Sequence, residues 1–554
     1  MQMSTANKLY LQTISQYKEM VDSTYDYIII GSGFGGSVAA MRLSEKGYKV
    51  LVIEKGKKYE SKDFPKTNWS IHKFFWFPII KCFGIQQLSF FKDVFILSGV
   101  GVGGGSLVYA NTQMVPGDAF FNNPSWSHIK NWKETLMPFY ERAKFMLGTV
   151  KQPLHYKEDE VLKEIATDMN RADSFGGVNV GVYFGDKRKA IDPYFKGLGP
   201  ERTGCTECAG CMVGCRFNAK NSLDKNYLYF AQKNGVTILA ETEVVSIQHI
   251  NGKYLIDTVS STSWFSKKKK RFESTGLVMA GGVLGTMQLL LKEKYGSGHL
   301  SKLSNRLGEQ LRTNSESLCG IALANQKLNH GVAISSIFNP DDHTHIEIVK
   351  YSNGSGVMGK LATLATDGNQ PFLRTLKWIL NLILHPIQTI RTFFDFGFAD
   401  NAIILLVMQS IDNSMKMIWK KGWWSGGQMQ IQNSTNSKVP AYIGIGQEVM
   451  RRYADKVGGT PMNAITEVAL NMSTTAHVIG GCPMGKTIEE GVVDEYFRAF
   501  GYENMYIVDG SIIPSNLGVN PSLSITALAE YAMHHVPEKA GNTKLSLEAQ
   551  LSQI

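Results

Sequence analysis

A glycine-rich turn near the N-terminus constrains the fold of this chain more than any other segment. Residues 25–30 form a short run rich in β-branched side chains, and residues 37–46 repeat apolar side chains at helical spacing. Between them lies GSGFGG, in which Gly31, Gly33 and Gly36 form GxGxxG. The first glycine permits a tight turn, the second lets a pyrophosphate approach the backbone, and the third lets helix pack on strand. The segment predicts a strand–turn–helix unit that binds a dinucleotide.

The strand that follows strengthens this prediction. It reads KVLVIEKG and carries Glu54, 18 residues after Gly36. A carboxylate at this distance accepts hydrogen bonds from a ribose diol. A purely structural glycine turn is the alternative, and it gives no reason for the carboxylate.

The composition is that of an ordinary globular protein. Its 554 residues are 43% hydrophobic and 19% charged, which excludes disordered, collagen-like and disulfide-scaffold proteins. At roughly 100 to 200 residues per domain, this length corresponds to two or three folding units. The 58 basic and 48 acidic residues leave a net charge of +10, and part of it is the lysine run at 267–270. Such a run indicates a solvated hairpin tip, so we expect no nucleic-acid partner.

The chain has no basic-then-apolar leader at its N-terminus and no stretch of 18 uninterrupted apolar residues. We therefore expect neither a signal peptide nor a membrane-spanning helix. Four of the seven cysteines crowd into one segment, which is typical of reduced thiols or a metal site rather than a disulfide framework. These features predict a cytoplasmic protein.

The clustered cysteines are Cys205, Cys208, Cys211 and Cys215, spaced C-x2-C-x2-C-x3-C. Bacterial ferredoxins hold an iron-sulfur cluster with this spacing, but they place a proline after the fourth cysteine, where this chain has Arg216. Three hypotheses remain open: an iron-sulfur cluster, a structural zinc ion, or free thiols.

Five segments in this order resemble the glucose-methanol-choline (GMC) family of FAD-dependent oxidoreductases, and more closely its cholesterol-oxidase-like branch. They are GSGFGGSVAAMRL with Glu54, GVGGGSLVYAN, MAGGVLGTMQLL, AHVIGGCPMG and VDGSIIPSNLGVNPSLSITALAE. The resemblance covers nearly the whole chain. It implies an α/β fold in which a Rossmann-like FAD-binding domain is interleaved with an α+β substrate domain, built on a mainly antiparallel sheet with helices.

The expected division of the chain follows this interleaving. The predicted segments are 1–125, the first FAD-binding part with a substrate-wall insertion; 126–235, a helical segment with the cysteine cluster; 236–310, the second FAD-binding part; 311–465, the substrate domain; and 466–554, the third FAD-binding part with the catalytic pair.

The resemblance also implies which residues hold FAD. They are Gly31, Gly33, Phe34 and Gly36 at the pyrophosphate, Glu54 at the adenosine ribose, Val244 at the adenine, Ala280 and Gly281 beside the diphosphate, Gly104, Gly105, Ser106 and Asn111 on the flavin side, and Asp509 and Gly510 at the ribityl chain. The helix that begins near Pro521 would direct its positive end at the flavin pyrimidine carbonyl, where the reduced ring gains negative charge.

Hydride transfer from an alcohol to flavin N5 requires a group that removes the hydroxyl proton. The resemblance assigns this role to His477 and gives Asn520 the role of positioning the hydroxyl oxygen. A satisfied core histidine in the apolar run HVIGG is the structural alternative. The branch also uses a carboxylate that acts on the steroid and can shift its double bond. Glu347 is the candidate, His345 is the second, and absence of isomerase activity is the third possibility.

The resemblance implies oxidation of a hydrophobic alcohol, such as cholesterol or another sterol, with dioxygen as electron acceptor. Two rivals stay open: a dehydrogenase that passes electrons through an iron-sulfur cluster to a quinone or protein, and a flavin-binding module without catalysis.

The aromatic residues at 74–77 and at Trp423 and Trp424 fit a large apolar substrate or core packing. Residues 372–396 fit an interfacial helix that associates peripherally with a membrane, or a buried helix pair.

Overall fold

Two seven-stranded sheets organise the part of the chain that the structure describes. This computed structural model describes residues 23–153, 155–264, 267–323, 326–394, 397–411, 413–422, 427–434 and 439–554. The first sheet is parallel at its centre and carries an antiparallel hairpin at one edge. Its order is Thr237–Leu239, Val50–Ile53, Ser23–Ile30, Lys269–Met279, Lys253–Ser260 and Thr242–Ile250, with Met505–Ile507 pairing in parallel with Lys269–Met279.

The first strand is buried on both faces because helices cover the sheet. Ile28 and Ile29 are completely buried, as the β-branched run predicted. Helix Phe34–Glu45 packs on this strand and contacts helices Tyr227–Lys233 and Ser522–His534. The core of this part of the molecule therefore joins elements that are far apart in sequence.

The second sheet is antiparallel throughout its described pairings. Its order is Ala362–Leu364, Thr460–Ala464, Ser317–Ala322, Ala402–Gln409, Thr344–Val349, Ile334–Phe338 and Gly176–Gly177. Helices Lys157–Asp168 and Gly444–Val457 cover one face and share a core with Cys319, Ile346 and Leu405. Because side chains alternate along a strand, their neighbours Leu318, Glu347 and Leu406 point to the opposite face.

The remaining elements connect and cover these sheets. The other helices in the described ranges are Ile71–Phe74, Asp118–Phe121, Trp132–Met146, Gly282–Leu291, Pro371–Leu384, Pro386–Phe394, Ile465–Ala469 and Leu547–Ser552. The smaller sheets pair Gln86–Phe90, Val94–Gly99 and Ser473–Thr475; Met415–Lys420 and Gln428–Asn433; Trp76–Phe77 and Cys82–Phe83; and Val150–Lys151 and Asn179–Val180.

The way in which the chain contributes strands to the two sheets confirms the predicted α/β fold class. The first sheet takes strands from three separate parts of the chain, and the second sheet takes its strands mainly from the sequence between them. The Rossmann-like domain is thus interleaved with a domain built on an antiparallel sheet. None of the described helices is long and apolar enough to cross a membrane.

A buried ion network joins the first helix to the C-terminal helices. Arg42 donates to Glu530 through Nε (2.8 Å) and Nη2 (2.9 Å), to Glu45 through Nη1 (2.9 Å) and to Glu548 through Nη2 (2.7 Å). Tyr227 also donates to Glu530 at 2.7 Å. Because Glu530 and Glu45 are buried, their charges depend on this guanidinium for compensation.

We predict that Arg42→Met lowers the free energy of unfolding by about 3–5 kcal/mol, because buried Glu45 loses its ion pair and buried Glu530 keeps only the more distant Arg142, at 3.8 Å. Urea denaturation measures the change. Lys133→Ala is the matched control, since its pair with Asp118 is more than half exposed, and it should cost about 0–1 kcal/mol. Equal midpoints for the two variants would contradict the role of this network.

Candidate active site

A large cavity lies between the two sheets. Its volume of about 580 Å³ is within the range of roughly 300–1,000 Å³ that is typical of ligand sites. One end is lined by glycine-rich backbone of the first sheet, and the other by apolar side chains of the second. Of the predicted site residues, those on its wall are Gly31, Gly33, Phe34, Glu54, Gly104, Gly105, Val244, Ala280, Gly281, His477, Asp509, Gly510, Asn520 and Pro521.

The glycine turn has the shape of a cradle for a dinucleotide. Gly31 has φ +98°, and a Cβ there would lie 2.2 Å from the Ala280 carbonyl oxygen. A Cβ at Gly36 would lie 2.1 Å from the Gly31 carbonyl oxygen, so this glycine permits helix–strand packing. Gly33 and Gly282, by contrast, have open space where a Cβ would stand and lie on the cavity wall. A side chain at either position would project into the space that FAD needs.

Three helices of ten or more residues begin at the cavity wall. Helix Phe34–Glu45 begins after Gly33, Gly282–Leu291 after Gly281, and Ser522–His534 after Pro521, and none of these preceding residues caps its helix with a side chain. Uncapped N–H groups and the helix dipole favour negative charge. These helix ends therefore suit a pyrophosphate and a flavin ring that gains negative charge on reduction.

The two predicted acidic cofactor residues are held by the protein. Glu54 accepts hydrogen bonds from Ser32 N (3.1 Å), Ser32 Oγ (2.8 Å) and Gly56 N (2.9 Å), and its remaining lone pairs are available to a ribose. Asp509 accepts from Ser511 N (2.9 Å) and from Thr286 Oγ1 (2.5 Å). Burial raises the pKa of Asp509, and these hydrogen bonds partly oppose that effect.

The turn on the predicted flavin side contains both wall and supporting residues. Gly104 and Gly105 line the cavity, whereas Ser106 donates to Gly103 O at 2.7 Å and accepts from Leu223 N at 3.1 Å. Asn111 is buried with φ +72°, and neither polar atom of its side chain has a partner. Thr112 Oγ1 and Asn520 Oδ1, both on cavity-wall residues, are also buried without partners. Unsatisfied polar atoms at the cavity fit a polar ring such as that of FAD.

His477 is paired with a carboxylate that the sequence patterns did not indicate. Its Nδ1 contacts Glu316 Oε1, and Glu316 Oε2 accepts from Ala476 N at 3.0 Å. Burial lowers the pKa of His477, but the charge and hydrogen bond of Glu316 outweigh it and raise that pKa above its ordinary value. Since a carboxylate only accepts, Nδ1 carries the proton and Nε2 remains free to accept one.

Glu347 lies in a second polar group beside the cavity. It is completely buried on strand Thr344–Val349, where its Oε1 is 3.2 Å from His345 Nε2 and its Oε2 accepts from Asn520 Nδ2 at 3.4 Å. The fold therefore brings Glu347 next to Asn520, and His345 next to Glu347. Gly36, Ser106, Asn111 and Glu347 do not themselves line the cavity.

Glu316 is the functional residue that sequence reasoning missed. It begins no motif and stands one residue before the apolar strand Ser317–Ala322. The sequence signal is its position directly before a mostly apolar strand, because a carboxylate buried there needs a partner, and the structure shows that Glu316 is 1% exposed. That partner is 161 residues away in sequence, so only the fold identifies it.

The cysteine segment surrounds a separate, smaller cavity of about 180 Å³. Cys205, Cys208, Cys211 and Cys215 are free thiols, and within the described ranges no three His, Cys, Asp or Glu side chains are grouped to hold a metal ion. Burial raises the pKa of Cys205 to about 12 and that of Cys211 to about 11, which favours the protonated thiols. The iron-sulfur, zinc and free-thiol hypotheses for this segment therefore remain predictions.

The aromatic residues at 74–77 do not line the cavity, which agrees with core packing, the alternative given for them above. Phe74 packs with Phe64 and Ile85 in a small core, and the apolar end of the cavity is instead formed by Met358, Phe398, Leu406 and other side chains of the second sheet and its connections. Trp423 and Trp424 lie outside the described residues.

Comparisons with known proteins agree with this architecture. Family models described as GMC oxidoreductase match residues 194–313 and 409–529, and one described as an NAD(P)-binding Rossmann-like domain matches residues 29–59. The chain is 41% identical to a cholesterol oxidase of Acinetobacter baumannii over 529 residues, which cover 93% of this chain and 95% of that protein. It is 43% identical to a cholesterol oxidase of Mycobacterium tuberculosis (strain ATCC 25618 / H37Rv) over 535 residues, which cover 93% and 91%.

A solved structure supports the same fold. The crystal structure of pyridoxine 4-oxidase from Mesorbium loti matches with a TM-score of 0.58 at 15% identity, covering 92% of this chain and 98% of that one. At this identity the likeness speaks for the fold alone. The family models and the long, close matches together show that this chain belongs to the GMC oxidoreductases, a family of FAD-dependent enzymes.

Proposed function

We propose that the protein oxidises the hydroxyl group of a sterol such as cholesterol to a ketone, with dioxygen as the electron acceptor. The observation that carries this proposal is the position of His477 on the cavity wall. Its partner Glu316 directly precedes a strand of the second sheet, and Gly480, three residues after His477, donates to Gly510 O on the glycine-rich side. The similarity to two cholesterol oxidases supports the choice of substrate. Sterols reside in bilayers, so the proposal includes peripheral association with a membrane surface.

The apolar end of the cavity suits a rigid hydrocarbon skeleton. Leu318, Ile404 and Leu406 of the second sheet face it, and Met358 and Phe398 complete the wall. Burial of apolar substrate surface here is favourable by about 25 cal/mol per Å². Because polar groups are concentrated at the other end, a substrate with one hydroxyl group would orient it toward His477.

His477 is the proposed proton acceptor. FAD, when bound, supplies the hydride acceptor at its isoalloxazine ring. Glu316 holds the Nδ1 proton and orients the imidazole, so that Nε2 can take the hydroxyl proton of the substrate as its carbon loses hydride. Asn520 has a second N–H that is not used by Glu347 and can donate to the hydroxyl oxygen.

Anaerobic reduction tests the proposal directly. We expect the purified enzyme to show flavin absorbance without iron, to lose this absorbance when cholesterol is added, and to regain it with peroxide formation when air is admitted. His477→Gln should retain FAD and the flavin spectrum, while its rate of reduction falls by about 10²- to 10⁴-fold because the proton acceptor is lost.

Three outcomes would contradict this prediction. A flavin that stays reduced in air, in a protein containing iron, would favour the dehydrogenase with an iron-sulfur relay. A flavin that no sterol reduces would remove the proposed substrate. Unchanged reduction in His477→Gln would exclude His477 as the proton acceptor.

The Glu316 pair predicts a pH dependence. Only neutral His477 accepts a proton, so kcat/KM should rise with pH through a pKa above the ordinary histidine value of about 6.5. In Glu316→Gln the carboxylate no longer stabilises the imidazolium, and the midpoint of this rise should move to lower pH by about one unit or more. Glu448→Gln is the control, since it removes an exposed carboxylate that pairs with Arg452. A midpoint that is the same in all three proteins would exclude the proposed role of Glu316.

We include a second step at Glu347, which lies on the cavity side of its strand beside Asn520. Its carboxylate can remove a proton from the carbon between the new carbonyl and the double bond and return it at the far end of that double bond. The double bond then moves into conjugation, and no atom is gained or lost.

Glu347→Gln should therefore separate the two activities. We expect peroxide formation to continue, while appearance of the conjugated enone, followed by its ultraviolet absorbance, slows by about 10²-fold or more because the base is lost. Glutamine preserves the shape of the side chain and an acceptor for Asn520. Enone formation at the wild-type rate would show that Glu347 is not the base.

A further inference from the structure

The helices Pro371–Leu384 and Pro386–Phe394 form a pair that exposes its apolar face to solvent. Ten large apolar side chains of this pair are 45–74% exposed, among them Phe372, Leu376, Leu380, Ile383, Ile387 and Phe394. A surface helix normally turns its apolar stripe toward the core and its polar side chains toward water. Here the wide apolar face points away from the protein, and its size exceeds the scattered exposure that is normal for a soluble surface.

The polar side chains of the first helix hold it to the protein. Arg374 is buried and donates to Thr366 O (2.9 Å) and Ala441 O (2.9 Å). Trp378 Nε1 donates to Thr363 Oγ1 at 2.8 Å, and Asn381 Nδ2 donates to Thr366 Oγ1 at 3.3 Å. These contacts dock the helix on the protein and fix its orientation. The apolar side chains are therefore exposed although the helix is docked.

The charge of the helix pair indicates which partner covers this face. Residues 371–394 include no Asp or Glu, whereas Lys377 and Arg391 are exposed. An apolar face flanked by basic side chains is complementary to a bilayer with anionic headgroups.

The helix pair also adjoins the cavity wall. It packs on strand Ala362–Leu364, whose first residue lines the cavity. Lys360, in the 3₁₀ helix Val357–Leu361, donates to Phe393 O at 2.8 Å, and Met358 and Leu361 of the same segment line the cavity. The outer surface of this wall is therefore the exposed apolar face.

We infer that the helix pair is a membrane-docking surface that lies in the interface of an anionic phospholipid bilayer and places the apolar end of the cavity beside the lipid. The choice of a bilayer as partner rests on the proposed oxidation of a sterol, because that substrate must be drawn from lipid. The apolar face would enter the acyl boundary, with Lys377 and Arg391 at the headgroups.

Vesicle binding by the holoenzyme tests this surface. We expect the enzyme to float with vesicles of phosphatidylcholine containing phosphatidylglycerol, and Leu376→Gln/Leu380→Gln/Ile383→Gln to reduce this partition by about tenfold or more. Val150→Gln/Ile250→Gln/Leu545→Gln is the matched control, since it replaces three exposed apolar side chains elsewhere. Lys377→Gln/Arg391→Gln should remove the preference for the anionic lipid.

The substrate form distinguishes docking from catalysis. With cholesterol supplied in cyclodextrin, the helix variant should turn over at the wild-type rate, and with cholesterol in vesicles its rate should fall together with binding. Vesicle binding that depends on the helix pair, without sterol turnover in either form, would support the surface and overturn the proposed function. Wild-type binding by the helix variant would overturn the inference. A second outcome would also overturn it: the wild-type enzyme is a dimer that binds no vesicles, and the helix substitutions dissociate this dimer. The apolar face would then be covered by a second copy of the chain.

Discussion

The burial of both faces of the second sheet is the constraint on which the site depends. Helices Lys157–Asp168 and Gly444–Val457 cover one face, so every strand must send alternate side chains to the other. The side chains of Leu318, Ile404 and Leu406 lie on this second face and form the apolar end of the cavity. The same alternation turns Glu347 inward, where a buried carboxylate requires hydrogen-bond partners and finds Asn520 and His345.

The first sheet forms the polar end of the cavity, opposite the apolar end. Its helices begin at the cavity without side-chain caps, and glycines keep the wall free of side chains. Unsatisfied N–H groups and open backbone suit the phosphates and polar ring of FAD. His477 and Asn520 stand where the polar and apolar ends of the cavity meet, which is where a hydroxyl group and a hydride acceptor would come together.

Interleaving of the two domains links this site to stability. Arg42 joins the first helix to Glu530 and Glu548, which follow it by 488 and 506 residues. The strand Met505–Ile507 and the helix after Pro521 belong to the first sheet's side, although the whole second sheet precedes them. The complete site therefore includes elements from the chain's last segment as well as from its first.

The sequence by itself determined the glycine-rich turn, the family and most of the residues that line the glycine-rich end of the cavity. GxGxxG, Glu54 and the glycines after it act through local backbone geometry, which a short segment specifies. Tertiary structure decided the partner of His477, the inward side of Glu347 and the outward apolar face at residues 371–394. A pairing across 161 residues, or the choice between two faces of a strand or helix, depends on what packs against each face, and no local pattern contains that information.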